Sequence, residues 1–151
     1  MAVTYEKIMV TLDGSTLAAQ ALPHALALAD MHQAELILFR VVQDNHFLVE
    51  YIQEGALDPE KRQEHWLDEA TQALNEIAAD LKLRKYKVTA VVEVGLPAET
   101  IVDYASKNGV SLIVMSTHGR SGLARWVYGS VADKVLQAAS CPVLLVRAAP
   151  V

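Results

Sequence analysis

A chain of 151 residues that is 52% apolar and 21% charged, with only seven glycines and five prolines, is not disordered, collagen-like or of low complexity. This is the usual length of one domain, expected to span residues 1–151, and it is long enough to bury a core without staples. A net charge of −5 with scattered basic residues gives phosphate-backbone binding little electrostatic support, so nucleic acid is not an expected partner. Cys141 is the single cysteine, so no intrachain disulfide can form and a reducing compartment fits. The stretch Met1–Lys7 lacks the basic and apolar regions of a signal peptide. No apolar run approaches the roughly 18 residues of a membrane span, so the expectation is a cytoplasmic protein away from membranes.

In chain order, the first apolar, β-branched run is Ile8–Leu12, read as a strand, and the Ala/Leu-rich stretch Leu17–Met31 follows as a helix. A second strand is predicted over Leu36–Val42. The connection from Gln43 to Pro59 is longer than usual and carries His46, Phe47, Tyr51 and Ile52; it reads as a lid, a partner surface or a tolerated insertion. Leu67, Ala70, Leu74, Ile77 and Leu81 then recur at steps of three and four, which marks one helix face. Val88–Val94 is a third strand. Pro97 after Gly95 opens the next helix, where its missing N–H costs nothing, and Asn108-Gly109 closes it. Leu112–Met115 is the fourth strand, and Cys141-Pro142 separates a last helix from the fifth, Val143–Val146. Strands that are apolar at nearly every residue and alternate with helices predict an α/β fold, an open five-stranded parallel sheet with helices on both faces, Rossmann-like.

In such a sheet ligands bind beyond the carboxyl ends of the strands, which directs attention to two loops. Asp13-Gly14-Ser15 follows the first strand. A carboxylate there can bind a ribose hydroxyl or a phosphate-bound Mg²⁺; equally, the tripeptide can simply turn the chain and cap a helix. The second loop runs from Ser116 to Gly122, through Thr117, His118, Gly119, Arg120 and Ser121, and leads on to Gly129-Ser130. Ser130 with Asp133 three residues on reads as a capping box, with Val131, Val135 and Ala138 as the apolar face. The free N–H groups and positive dipole end of such a helix start suit phosphate. Thr117, Ser121 and Arg120 or Arg125 are placed to extend the cradle, and an ordinary glycine-rich loop is the alternative.

Met115-Ser-Thr-His-Gly-Arg-Ser-Gly-Leu123, Gly129-Ser-Val131 and Cys141-Pro-Val-Leu-Leu-Val146 together resemble the C-terminal signature of universal stress proteins. Ile8-Met-Val-Thr-Leu-Asp-Gly-Ser15 resembles their opening strand and loop, so the likeness spans essentially the whole chain. The pattern of that family's ATP-binding branch is a glycine, two residues, a glycine, nine residues, then Gly-Ser or Gly-Thr. Gly119 and Gly129-Ser130 match it, and Ser116 stands at the first glycine, adding a side chain where backbone and nucleotide approach. The resemblance implies ATP with Mg²⁺ as ligand. Asp13 would contact ribose, phosphate or metal, Val41 would line the adenine pocket, and Val94 and Met115 would flank base or ribose. Gly119, Gly129, Ser130 and Val131 would hold the phosphates beside Arg120 and Gly122, and Leu12, Ser116 and His118 complete the cofactor-binding set. It also implies strand order 3-2-1-4-5 and a homodimer formed through the last strand, burying its edge.

The five histidines, His24, His32, His46, His65 and His118, show no metal-ligand spacing. His118, inside the phosphate loop, reads as a loop-structuring hydrogen-bonder. Cys141 before proline reads as a buried structural thiol rather than a reactive one, Trp66 as a core or surface anchor, and Trp126 as an anchor or a cover for the nucleotide. The leading functional expectation is an ATP-binding stress-response regulator with little or no hydrolysis. A slow ATP hydrolase or phosphotransferase and a nucleotide-free interaction module stand as the alternatives.

Overall fold

The computed structural model describes residues 1–43, 59–118 and 129–149. Its strands are β1 (Lys7–Thr11), β2 (Glu35–Gln43), β3 (Val88–Gly95), β4 (Leu112–Ser116) and β5 (Val143–Val146). All pair in parallel in the order β3-β2-β1-β4-β5, as the family resemblance implied. The run of apolar residues has a direct cause: β1 lies between β2 and β4, with Ile8 between Leu36 and Leu112, and both faces of the sheet are covered. Ile8, Val10, Leu36, Leu38, Leu112 and Val114 point to one helical layer. Met9, Ile37, Phe39, Ile113 and Met115 point to the other.

The first layer is built from α2 (Ala21–His32) and α3 (Pro59–Leu83). Ala21, Ala25 and Ala29 recur every fourth residue and are buried, so α2 turns a row of small residues to the sheet, with Leu22, Leu26 and Leu28 half-buried beside it. On α3 the face expected from spacing is the buried one: Ala70, Leu74 and Leu81 are inside, and Leu67 and Ile77 are half-buried. The second layer is α4 (Pro97–Lys107) and α5 (Ser130–Ala138). Pro97 is the first residue of α4, and Gly109 follows its end with φ +65, as the sequence indicates.

Three expectations are corrected. The stretch Leu17–Met31 is two helices, α1 (Thr16–Ala19) and α2, meeting at Gln20. Pro23 has no N–H for the Ala19 carbonyl and its ring crowds that carbonyl, so the hydrogen-bond ladder breaks one turn before it. Leu12 lies just past β1, although its N–H still donates to the Phe39 carbonyl at 2.8 Å. On α5, Ala138 is exposed and Ala132 is buried instead. Residues 44–58 of the long connection lie outside the described residues, as do 119–128. Among the described residues no helix is long and apolar enough to cross a membrane.

Candidate functional site

The strand order reverses between β1 and β4, and there the loops after the two strands leave in opposite directions and open a crevice. The crevice is a cleft of about 650 Å³. Its walls come from the ends of β1, β2 and β4 and from α1, α3, α4 and α5.

On the β1 side, the Asp13 carboxylate accepts a hydrogen bond from the Ser15 N–H at 2.9 Å, and the Ser15 hydroxyl accepts from the Ala18 N–H at 3.1 Å. Asp13 therefore shapes the turn and Ser15 caps α1, which is the turn-and-cap reading of the tripeptide. Gly14 adopts φ +85, a left-handed conformation that a side chain resists. Space is short there too: a Cβ would stand 3.0 Å from a terminal nitrogen of Arg40. The guanidinium of Arg40, on β2, thus lies against the Asp13 turn.

On the β4 side, Ser116 and Thr117 are buried. The Ser116 hydroxyl accepts a long hydrogen bond from the His118 N–H, 3.4 Å, so the side chain at the family's first glycine turns onto its own loop. His118 Nδ1 lies 3.1 Å from Thr117 Oγ1, a contact that structures the loop. The Thr117 carbonyl accepts the Gly129 N–H at 2.7 Å. A Cβ on Gly129 would stand 2.9 Å from that carbonyl oxygen, so the position takes glycine for space, its φ of −55 being open to any residue.

The expected capping box is not the one formed. Gly129 is the N-cap of α5, Ser130 is the first helical residue, and no described side chain caps the helix. The Asp133 carboxylate accepts instead from Gln137 Nε2 at 3.1 Å. Ser at the first turn with an acid three residues on satisfies the sequence pattern in either register. The outcome favours an anion site, because the N–H groups of Ser130, Val131 and Ala132 have no partner within the helix and all three residues line the cleft.

Leu12, Asp13, Val41, Met115, Ser116, His118, Gly129, Ser130 and Val131 all line this cleft. Val94 does not. It sits 39% exposed on edge strand β3, with the parity of Val88, Ala90 and Val92, which pack toward the α2–α3 layer. Gly119, Arg120 and Gly122, with Ser121, Arg125 and Trp126, lie outside the described residues. Sequence reasoning missed four cleft residues that carry charge or a large ring: Phe39 and Arg40 on β2, and Trp66 with Glu69 one turn apart on α3. The floor is Phe39, whose ring lies 4.7 Å from Tyr104. Burial, reinforced by Glu93 and Glu35, pushes the Tyr104 phenol up from its usual range. Among the described residues no three His, Cys, Asp or Glu side chains gather to hold a metal, so a cation here would combine Asp13 with oxygens of a ligand and water.

An open parallel sheet with an acidic turn and a helix start that no described side chain caps, both lining one cleft at its switch point, defines a doubly wound α/β protein with a crevice beyond the strand ends. The profile of the universal stress protein family matches residues 4–147, and the chain belongs to that family. Universal stress protein MJ0531 of Methanocaldococcus jannaschii is 36% identical over 143 residues, 95% of this chain and 82% of that protein. The solved structure of MJ0577 from the same organism is 29% identical, with a TM-score of 0.83 over 99% of this chain and 100% of that one. A universal stress protein solved in complex with cAMP shares the fold, with a TM-score of 0.65 and 22% identity over 96% of this chain and 98% of that one.

Proposed function

We propose that this chain binds ATP with Mg²⁺ in the cleft and acts as a nucleotide-dependent regulator in the stress response, with little or no hydrolysis. One observation carries the reading: the Asp13 turn, the end of β4 and the start of α5, which no described side chain caps, converge on a single cleft. Val41, Met115, Pro97 and Ile101 offer apolar surface for the adenine. Asp13 would take the ribose or the metal, and the N–H groups of Ser130 and Val131 would take phosphate oxygens, with Gly119, Arg120 and Gly122 supplying the rest of the cradle. A universal stress protein of this fold is in complex with cAMP, itself an adenine nucleotide. The extension to this chain rests on the cleft's own residues. We further propose a homodimer across the outer edge of β5, where Leu144 is 36% exposed, and a cytoplasmic location, which suits the single cysteine.

The test is calorimetric titration of ATP with Mg²⁺ into nucleotide-stripped wild type and Ser130→Asp. Ser130 is exposed in the first turn of α5, where a carboxylate favours the helix by about 0.3–1 kcal/mol and repels phosphate. Wild-type binding that weakens at least about tenfold in a variant that melts no earlier supports the site. A wild type that takes no ATP overturns the reading, and a variant that binds as well as wild type removes the phosphates from α5.

A further inference from the structure

Beyond β5 the backbone does not simply leave the sheet. The Ala148 N–H donates to Thr117 Oγ1 at 3.2 Å, and the Thr117 N–H donates to the Val146 carbonyl at 2.9 Å. One residue further, Ala149 is held by a reciprocal pair of hydrogen bonds. Its N–H donates to Gln20 Oε1 at 3.0 Å, and its carbonyl accepts from Gln20 Nε2 at 2.8 Å. The two anchors belong to opposite walls of the cleft. Gln20 closes α1, whose Ala18 lines the cleft and whose cap, Ser15, is held by Asp13. Thr117 holds the Gly129 N–H at the start of α5 and touches His118.

We propose that Arg147–Ala149 is a strap that sets the separation between the Asp13 turn and the start of α5, with Gln20 and Thr117 as positioning residues. The path is continuous through named bonds: Asp13 to Ser15, α1 to Gln20, Gln20 to Ala149, Ala148 to Thr117, and Thr117 to Gly129. The Thr117 hydroxyl, a cradle candidate from sequence, is therefore a tie between loop and strap. Gln20 sits at the break between α1 and α2 that Pro23 imposes, where the side chain is only partly buried and reaches the strap. That the strap tunes triphosphate affinity rests on the nucleotide reading above. That it holds the two walls together does not.

Two readouts separate those statements. Amide exchange of the ligand-free protein is measured for wild type, Gln20→Ala, Thr117→Val and Thr117→Ser. Loss of the two Gln20 bonds is expected to speed exchange about tenfold at Ala148 and at Gly129, neither of which hydrogen-bonds to Gln20, a factor within what the pair supplies. Thr117→Ser keeps the hydroxyl and is expected to restore protection that Thr117→Val loses. Unchanged exchange at Gly129 in Gln20→Ala overturns the strap whether or not ATP binds, and the exposed Gln20 pair keeps this arm usable if Thr117→Val fails to fold. Titration of ATP and of adenosine then follows, with ATP expected to weaken about tenfold in Gln20→Ala and adenosine to change little. Equal affinity for ATP in both proteins overturns the tuning, and a wild type that binds neither overturns the nucleotide reading while the exchange result still decides the strap.

Discussion

Replacing Gly129 by alanine should weaken nucleotide binding through displacement alone, without adding charge. The backbone at Gly129, φ −55 and ψ 148, suits any residue, so no conformational strain enters. The obstacle is a backbone atom: the new Cβ would stand 2.9 Å from the Thr117 carbonyl oxygen, which cannot swing aside as a side chain would. The same carbonyl accepts the Gly129 N–H at 2.7 Å, so relief moves the first turn of α5 away from β4 and lengthens that bond. Overpacking of this kind costs about 1–3 kcal/mol. At about 2–4 °C per kcal/mol for a chain of this size, the melting temperature should fall by about 2–12 °C. Gly109→Ala is the control. Gly109 has φ +65 and nothing within 4 Å of a Cβ, so alanine there costs about 1–2 kcal/mol of left-handed backbone and leaves the cleft alone. Both variants are expected to melt early in a thermal scan, and only Gly129→Ala to lose affinity in an ATP titration, by about tenfold. A Gly129→Ala protein that melts with wild type, or a Gly109→Ala protein that loses as much affinity, refutes the close-approach reasoning.

Asp13→Asn keeps an acceptor for the Ser15 N–H but removes the negative charge, so the Mg²⁺ dependence of ATP affinity should disappear in a titration with and without Mg²⁺; unchanged Mg²⁺ dependence removes Asp13 from the metal. Burial pushes the Cys141 thiol above its ordinary range, so less of it is thiolate at about pH 8 and iodoacetamide should label it more slowly than free cysteine. Because the folded value is the higher one, this thiol's contribution to stability is complete below the unfolded value and is lost as pH rises through the folded one. Denaturant midpoints that rose across that alkaline window in wild type relative to Cys141→Ser would contradict the direction. Leu144→Asp places charge on the outer strand β5, and light scattering should show a monomer if that edge pairs two copies; a dimer that survives the change must use another surface.

Sequence revealed what depends on local chain chemistry. The five strands were legible because helices cover both faces of the sheet, so each strand reads as a nearly continuous apolar run, and α4 because proline and glycine punctuate its two ends. The Asp13 turn and the start of α5 were legible because each carries a turn or helix-start signal in a few adjacent residues. What escaped depends on partners far along the chain. Whether Ser130 or Gly129 caps α5 is decided by a carbonyl at Thr117, twelve residues away, and the inward tie of the Thr117 hydroxyl by a strap 31 residues on. Trp66 and Glu69 sit beside the apolar stripe of α3 rather than in it, so their entry into the cleft depends on how α3 is rotated over the sheet. Arg40 is the exception that carried a readable signal. In a parallel sheet covered on both faces a guanidinium has no favourable place along a strand except toward its end, and the carboxyl end of β2 opens onto the cleft. A cation near the carboxyl end of an otherwise apolar parallel strand therefore points to the ligand crevice from residue order alone, and here it lies against the turn that Asp13 holds.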